Sequence, residues 1–213
     1  MNTHPKKILI IDDELIFRKI IADALSPCGY QCVYAENPAE GIIHLKRTPF
    51  DLVLLDIMMD PIDGWDTLSH IRALPNGTEI PVVMSSVKKP LVDEIIRYGC
   101  YATGFLKKPF VDEELCKAVA NFFTWNEHLI SGAASGRTHG LSFDICTRWI
   151  QINHQIRAFN QMVEVVSPWC IPDNEMTEEE HLAYRMMQIE MMVAEKTSER
   201  DILCKTYPDH FSL

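Results

Sequence analysis

Residues 8–13 read Ile-Leu-Ile-Ile-Asp-Asp, an apolar run that ends in two acidic residues. Three later apolar runs also end at a polar group, namely at Asp56, at Ser86 and at Lys108. Continuous apolar runs of this kind are typical of strands that are buried on both faces of a parallel sheet. Ligands of an open parallel sheet bind at the carboxyl ends of its strands, so these polar groups are expected to converge on one crevice.

The first 124 residues alternate strand and helix patterns five times. This alternation predicts an α/β domain with a doubly wound, five-stranded parallel sheet. The predicted strands lie at residues 7–11, 31–35, 52–55, 82–85 and 104–106. The predicted helices lie at residues 14–25, 38–46, 65–72, 91–98 and 111–123.

Several short motifs of this half together resemble the receiver domain of two-component response regulators. In chain order they are Asp12-Asp13, Asp56, Asp63-Gly64, Ser86 and Lys108-Pro109-Phe110. The resemblance covers residues 1–124 and no more of the chain. It implies a flavodoxin-like sheet in which the strand order is 2-1-3-4-5.

The resemblance also implies a role for each polar group at the predicted crevice. Asp56 would accept a phosphoryl group from a cognate histidine kinase, and Lys108 would pair with the phosphate. Asp12 and Asp13 would hold Mg²⁺ together with Asp56 and the main-chain carbonyl of Met58. The chemistry agrees, because a carboxylate is already ionised at pH 7 and crowded carboxylates repel one another unless a cation intervenes. The chain would thus catalyse its own phosphorylation and dephosphorylation, with no separate enzymatic domain.

The same resemblance identifies Ser86 and Phe105 as the conformational switch, which phosphorylation is expected to draw inward. The predicted fourth helix, residues 91–98, corresponds to an output surface in receivers. Two positions depart from the usual receiver pattern. Pro61 stands one position later than usual, which predicts a different turn in its loop, and Val87 replaces a smaller residue, which predicts partial exclusion of water from the site.

The second half of the chain has a helical pattern instead. Residues 125–142 include a run of small residues at 131–140, which predicts a flexible linker. Residues 143–213 are predicted to form a helical hairpin, in which the first helix carries a heptad seam. The seam consists of Ile145, Trp149, Ile152, Ile156, Phe159, Val163 and Val166. A lone hairpin buries little apolar surface, so the seam is expected to pack on a second copy and form a homodimer; packing on the receiver, on a partner or within the hairpin are the alternatives.

Charge and composition limit the partners. The formal net charge is −10, and residues 125–213 hold seven Lys and Arg against thirteen Asp and Glu, a net charge of −6. Non-specific DNA binding needs a basic face, so the sequence predicts no DNA partner and output through a downstream protein target. No apolar stretch approaches about 20 residues, which predicts no membrane insertion.

The seven cysteines form no Cys-x-x-Cys pair and are odd in number. They are therefore expected to be free thiols in a reducing compartment, and the protein to be cytoplasmic. They are Cys28, Cys32, Cys100, Cys116, Cys146, Cys170 and Cys204.

His154 supports an alternative function. The segment from His154 to Arg157 faintly resembles the phosphorylated histidine box of histidine kinases, which would make the chain a phosphorelay protein that passes phosphate between Asp56 and His154. However, Gln155 stands where that box has an acidic residue, and the remaining residues are too few for an ATP-binding domain. A second alternative is an interaction module that is never phosphorylated.

Overall fold

The computed structural model describes residues 4–166 and 176–211. Within these residues there are seven α-helices, namely α1 (Leu15–Leu25), α2 (Pro38–Arg47), α3 (Gly64–Arg72), α4 (Val92–Tyr98), α5 (Asp112–Thr138), α6 (Phe143–Val165) and α7 (Met176–Thr206). Within these described residues, none of the helices combines the length and the apolar character that crossing a membrane requires.

The chain forms two compact units. The first comprises Met1–Pro90 and Tyr101–Val119, and the second comprises Leu91–Cys100 and Ala120–Leu213. The helix α4 thus groups with the C-terminal helices rather than with the sheet, so this division differs from a single boundary at residue 124.

The first unit is built on an all-parallel sheet. Its strands are β1 (Lys7–Ile11), β2 (Gln31–Ala35), β3 (Leu52–Asp56), β4 (Val82–Ser86) and β5 (Gly104–Lys107). They lie in the order β2-β1-β3-β4-β5, which confirms the predicted fold and strand order. Every residue of β3 and β4 is buried, which explains why these strands read as unbroken apolar runs before their polar ends.

Side-chain caps fix where two of the helices begin. The Asn37 side chain accepts a hydrogen bond of 2.9 Å from Glu40 N at the start of α2, and the Asp63 side chain accepts one of 2.8 Å from Asp66 N at the start of α3. Each cap satisfies a backbone donor that has no partner within the helix. The cap at Asp63 also sets where the loop from β3 ends, and this loop borders the candidate site.

A disulfide bond closes the first unit across 88 positions of the chain. It joins Cys28, just after α1, to Cys116 in the first turns of α5. The prediction of free thiols is therefore wrong for this pair, because spacing along the chain carries no information about cysteines that the fold brings together. Of the remaining cysteines, Cys170 lies outside the described residues, and Cys32, Cys100, Cys146 and Cys204 are free thiols.

The predicted linker at residues 125–142 is wrong, because α5 continues through it as far as Thr138. The small residues allow close packing rather than flexibility. A Cβ atom on Gly132 would lie 2.9 Å from the main-chain oxygen of His210, so a larger side chain would displace the C-terminal segment. The helix ends at Thr138, and just beyond it Gly140 has a φ of +94°, a conformation that favours glycine, while Leu141 N donates to Gly136 O.

The helices α6 and α7 form the predicted hairpin. The Ser142 side chain caps α6 by accepting a hydrogen bond from Ile145 N, and on α6 Trp149, Ile152 and Phe159 are fully buried by the chain itself. Phe211 stacks on Trp149 with ring centroids 4.6 Å apart. The central side chains of the seam therefore pack within one chain rather than on a second copy, and the homodimer itself stays a prediction. Residues 167–175, between the two helices, lie outside the described residues.

The helix α4 packs against this hairpin within the second unit. The Phe159 ring packs directly on Gly99, where an added Cβ would lie 2.7 Å from a ring carbon. Gln155 Nε2 donates to Cys100 O at 3.3 Å, and Arg185 pairs with Asp93 at 3.0 Å. The C-terminal helices thus cover the helix that corresponds to an output surface in receivers.

Candidate functional site

Three carboxylates meet at the carboxyl ends of neighbouring strands in the first unit. Asp12 and Asp13 follow β1, Asp56 ends β3, and one oxygen from each lies within 4.8 Å of the others. Asp12 and Asp56 are buried, whereas Asp13 is exposed. Parallel pairing of β1 with β3 places the two strand ends side by side, so the convergence follows from the sheet register.

Lys108 lies between the two buried carboxylates. Its Nζ atom is 2.6 Å from Asp12 Oδ2 and 2.9 Å from Asp56 Oδ1, and its side chain is almost completely buried. The same Nζ lies 4.3 Å from the centroid of the Phe17 ring, whose face attracts a cation. A buried ammonium is costly unless it is paired, and here two carboxylates and an aromatic ring surround it.

The environment of Asp56 disfavours its charged form in the metal-free chain. Burial raises the pKa of Asp56 from 3.8 to about 6, although the hydrogen bond to Lys108 and its positive charge act in the opposite direction. The negative charge of Asp12 raises this pKa further, and a hydrogen bond from the Met58 main chain lowers it. Apart from its ionic contact with Lys108, Asp56 Oδ1 accepts no well-directed hydrogen bond from the described residues.

These observations fit a divalent cation such as Mg²⁺. All the donors are oxygens, one of them is exposed and leaves room for water, and the Asp56 oxygen lacks a full set of hydrogen bonds. Asp12, Asp13 and Asp56 form the only group of this kind found among the residues that the structure describes. The Met58 main chain bonds the Asp56 carboxylate, and its side chain is partly exposed to solvent.

The loop after β3 turns tightly over Asp56. A Cβ atom on Gly64 would lie 2.1 Å from the main-chain oxygen of Asp56, so only glycine fits at this position. Gly64 N donates to Ile57 O at 3.0 Å and closes the loop. The peptide bond between Asp60 and Pro61 is cis in this loop.

The two predicted switch residues, Ser86 and Phe105, lie in different environments. The Ser86 hydroxyl accepts a hydrogen bond of 3.1 Å from Lys88 N, and Ser86 O accepts one of 2.8 Å from Lys108 N, which ties the ends of β4 and β5 together. Phe105 is already buried, whereas Val87 is exposed beside Ser86. Phe105 is thus buried in this structure, and its part in the switch stays a prediction.

Sequence reasoning missed Arg18 and the role of Phe17. The Arg18 guanidinium is buried and donates to the main-chain oxygen of Asp12 at 2.5 Å, and it also lies 3.9 Å from Glu36. It therefore holds the end of β1 in place beside the carboxylates. The helical pattern around Arg18 gives no sign that this charged residue is buried.

His154 lies in the second unit and is half-buried. Its Nε2 atom forms a hydrogen bond of 2.7 Å with Asn126 Oδ1, and its ring lies 5.6 Å from that of Trp125. The Arg157 guanidinium stacks over the same Trp125 ring at 4.7 Å. These contacts account for His154 as part of the packing between α5 and α6.

Comparison with known families and proteins is consistent with this geometry. A family model described as the response regulator receiver domain matches residues 8–120. Among curated proteins, the probable transcriptional regulator ycf27 of Cyanophora paradoxa is 29% identical over 153 residues, which are 72% of this chain and 62% of that protein. The ycf27 protein of Guillardia theta is 34% identical over 110 residues, 52% of this chain and 42% of that protein. This chain thus spans about half the length of the curated relatives it matches.

Solved structures show the same fold over the first half. The chemotaxis protein CheY4 of Vibrio cholerae superposes with a TM-score of 0.51 at 25% identity, covering 55% of this chain and 98% of that protein. A response regulator receiver domain protein from Clostridium thermocellum gives a TM-score of 0.51 at 26% identity, with 58% and 98% coverage.

The names of these relatives correct one prediction. The sequence predicted no DNA partner from the net charge of −6 in residues 125–213, yet the curated relatives are named transcriptional regulators. Net charge measures only the non-specific attraction to phosphates, and it does not report how a regulator acts at a promoter. The prediction of no DNA partner is therefore withdrawn.

Proposed function

Because the chain belongs to the response regulator receiver family, we propose that Asp56 accepts a phosphoryl group from a histidine kinase in a reaction that requires Mg²⁺. The observation that carries the proposal is the buried contact of Lys108 with both Asp12 and Asp56, at 2.6 and 2.9 Å. A solvated loop lysine would not be held between two carboxylates. This contact also argues against an interaction module that is never phosphorylated.

The reaction is an attack by a carboxylate oxygen of Asp56 on the phosphorus atom of a phosphohistidine. A bond forms between this oxygen and phosphorus, the bond from phosphorus to the histidine nitrogen breaks, and the nitrogen keeps the electron pair. Mg²⁺ held by Asp12, Asp13 and Asp56 would neutralise charge on the transferred oxygens. Lys108 supplies a second positive charge from inside the protein, and Gly64 keeps the loop close over the acceptor.

Ser86 is the residue proposed to sense the product. Its hydroxyl now accepts a hydrogen bond from Lys88 N, and it could instead donate to an oxygen of the phosphorylated Asp56. This exchange would shift the segment between Ser86 and α4 toward a second arrangement. Phe105 is already buried, so the step that depends on phosphorylation falls on Ser86 and this segment.

Labelling with a small phosphodonor tests the proposal. The purified chain should gain one phosphoryl group in the presence of Mg²⁺, measured by intact-mass spectrometry, and fragmentation should place it on the peptide that contains Asp56. Removing the metal with EDTA should reduce the label to background, because the three carboxylates would face the incoming phosphate without a cation. A label that persists in EDTA, or that lies on another peptide, would count against the proposal.

Exposed apolar side chains near the site are proposed to dock the kinase. Ile16 and Leu15 begin α1 directly after the acidic pair, and Ile16 is 69% exposed. Val111 is also exposed and lies just before α5. Apolar groups exposed at one edge of a sheet mark an interaction surface. We propose that the kinase docks on this chain in the cytoplasm. The Cys28–Cys116 disulfide does not support this location, because disulfides are rare in reducing compartments.

Replacing Ile16 with glutamate should separate docking from chemistry. We expect transfer from an autophosphorylated histidine kinase that labels the wild-type chain to fall about tenfold, equivalent to losing about 1.4 kcal/mol of contact. Labelling by the small phosphodonor should stay unchanged, because Ile16 is exposed on the surface whereas Asp56 is buried. Ile43→Glu is the matched control, since Ile43 is an exposed apolar residue on α2. Equal losses with both donors would show that Ile16 supports the site itself.

We propose that the signal reaches the C-terminal helices through α4. Five residues, 87–91, separate Ser86 from α4. The hairpin is contacted by Asp93 of α4 and by Gly99 and Cys100, the two residues that follow α4. A shift in α4 would therefore alter its packing on Phe159 and its ion pair with Arg185. A relay to His154 is not favoured, because its Nε2 atom is hydrogen-bonded to Asn126.

Arg185→Glu tests this route by placing a negative charge beside Asp93. The ion pair is exposed, so a loss of up to about 1 kcal/mol is expected, and backbone amides of α4 should exchange hydrogen about fivefold faster. Lys205→Glu on the same helix is the control, because Lys205 is also exposed and lies 20 positions from Arg185 along the chain. Phosphorylation of the wild-type chain should change exchange in α4 and α7 together. A change confined to α4 would contradict the proposed route.

A further inference from the structure

The disulfide between Cys28 and Cys116 lies at the surface of the first unit. Cys28 is exposed at the end of a short 3₁₀ turn, Ser26–Cys28, that follows α1, and Cys116 is half-buried in the second turn of α5. A Cβ atom added to the neighbouring Gly29 would meet no atom of the described residues within 4 Å, so the space beside Cys28 is open. A thiol from solution can therefore approach the Cys28 sulfur.

The exposure of this bond matters for its chemistry. Exposed disulfides are the labile ones, whereas well-protected structural disulfides resist reduction. Disulfides that do occur in a reducing compartment are usually transient and catalytic or redox-sensing. The two Cα atoms are 6.5 Å apart, within the native range, so the two thiols stay within reach of each other after reduction as long as the fold persists. The bond can therefore open and close again in the folded chain.

The free thiols that the structure describes are poor partners for such an exchange. Burial raises the pKa of each of them, to about 11 for Cys32 and in the same direction for Cys100, Cys146 and Cys204. A thiol attacks a disulfide only as its thiolate, and these four groups stay protonated at pH 7. They will not scramble the bond between Cys28 and Cys116, and exchange is left to thiols from solution.

The disulfide joins the two segments that we propose to dock the kinase. Leu15 and Ile16 begin α1, and Val111 directly precedes α5. The start of α1 is held at the site, where the Phe17 ring lies under Lys108 Nζ, and the disulfide links the turn after α1 to α5. A surface whose parts are fixed in place loses less conformational freedom on binding. The closed bond therefore favours docking.

We propose that Cys28 and Cys116 form a reversible thiol–disulfide exchange site, which a small thiol opens, and that the closed form receives phosphate from the kinase faster. The thiolate attacks the exposed Cys28 sulfur, the bond between the two cysteine sulfurs breaks, and the Cys116 sulfur leaves with the electron pair and takes up a proton. A second thiolate attacks the reductant sulfur now bound to Cys28. Cys28 is released as a thiol, both cysteines are reduced, and the two thiols are oxidised to their own disulfide.

Counting thiols tests the exchange itself, which does not depend on the proposed function. The folded chain is equilibrated in glutathione buffers of increasing reducing strength and alkylated, its alkylated cysteines are located by mass spectrometry, and circular dichroism follows the fold. We expect Cys28 and Cys116 to become alkylated at the reducing strength of a cytoplasm while the chain stays folded. A bond that opens only after urea unfolds the chain would be a structural disulfide and would overturn the proposal.

Two single variants test the direction of attack. Oxidised glutathione should attach to Cys28 in the Cys116→Ser chain at least about threefold faster than to Cys116 in the Cys28→Ser chain, because only Cys28 is fully exposed. Mass spectrometry of quenched samples gives both rates. Faster attachment to Cys116 would contradict the step in which the Cys28 sulfur is attacked.

The effect on the kinase rests on the proposed function and is measured separately. Transfer from an autophosphorylated kinase to Cys28→Ser should be about threefold slower than to the oxidised wild-type chain, because the link between α1 and α5 is lost. Cys204→Ser, which removes a free thiol on α7, is the control and should match the wild-type chain. Labelling by the small phosphodonor should be equal in all three chains.

Equal transfer to Cys28→Ser and to the oxidised wild-type chain would overturn the role in docking. Equal losses with the kinase and with the small phosphodonor would also overturn it, because the disulfide would then support the site itself. If the small phosphodonor labels none of the chains, the proposed function fails and the kinase effect fails with it. The thiol count still decides the exchange in that case, so the two failures are distinguishable.

Discussion

Asp56→Asn is expected to reduce phosphoryl incorporation to background while the chain stays folded. Asparagine has nearly the shape of aspartate, but its amide lacks the negative oxygen that attacks phosphorus. The matched control is Asp66→Asn, which removes an exposed carboxylate from the first turn of α3 and should label like the wild-type chain. Intact-mass spectrometry measures both. Undiminished label in Asp56→Asn would mean that another residue is the acceptor.

The same variant has an expected effect on stability in metal-free buffer. Burial raises the pKa of Asp56 to about 6, so its ionised form costs the folded state stability at pH 7. In the unfolded chain the pKa is 3.8, so this cost is present above pH 6 and vanishes below about pH 4, where the group is protonated in both states. Asp56→Asn should therefore be more stable than the wild-type chain by up to about 3 kcal/mol at pH 7, and equally stable near pH 4.

Urea unfolding in EDTA at the two pH values measures this difference. Saturating Mg²⁺ should shrink it, because the cation stabilises the ionised carboxylate and the asparagine variant binds the cation less tightly. A variant that is less stable than the wild-type chain at pH 7 would show that the contact between Asp56 and Lys108 outweighs the cost of burial.

The sheet and the carboxylate cluster could both be predicted from one physical cause, the burial of the strands on both faces. Strands that are buried on both faces must be apolar throughout, and the first polar residue after each one marks a strand end. The sequence alone therefore predicts that Asp12, Asp56 and Lys108 lie at strand ends, without any knowledge of contacts. The register of the sheet then brings them together.

Other features depend on three-dimensional packing that sequence patterns do not encode. A run of small residues around Gly132 is equally consistent with a flexible linker and with a closely packed helix, and the packing of His210 decides between them. A heptad seam shows that Ile152 and Phe159 are buried but not what covers them, which here is the same chain. The disulfide between Cys28 and Cys116 requires the whole sheet to be in place first.

Arg18 is a further example of this limit. A charged residue within a helix is expected to face solvent, and the helical pattern around it gives no other indication. Its guanidinium is buried because the main-chain oxygen of Asp12 needs a donor at that point. Side chains that hydrogen-bond to the main chain of a site in this way can be recognised only from the three-dimensional structure of the site.

Lys108→Ala is expected to destabilise the metal-free chain by about 3–5 kcal/mol, because it leaves two buried carboxylates without their shared cation. Mg²⁺ should restore part of this loss, since it would neutralise the same oxygens. Lys107→Ala is the matched control: Lys107 is the exposed neighbour, and its removal should change stability by less than about 0.5 kcal/mol. Urea unfolding with and without Mg²⁺ measures both variants.

The Lys108→Ala chain should still accept phosphate in saturating Mg²⁺, more slowly, because Asp56 and the metal carboxylates remain. It should not transmit the signal, because the phosphoryl group loses the buried cation that fixes its position relative to Ser86. Hydrogen exchange in α4 would then be the same before and after phosphorylation. A phosphorylated Lys108→Ala chain in which α4 still responds would show that Ser86 alone couples the site to α4, and Lys108 would be left with a structural role.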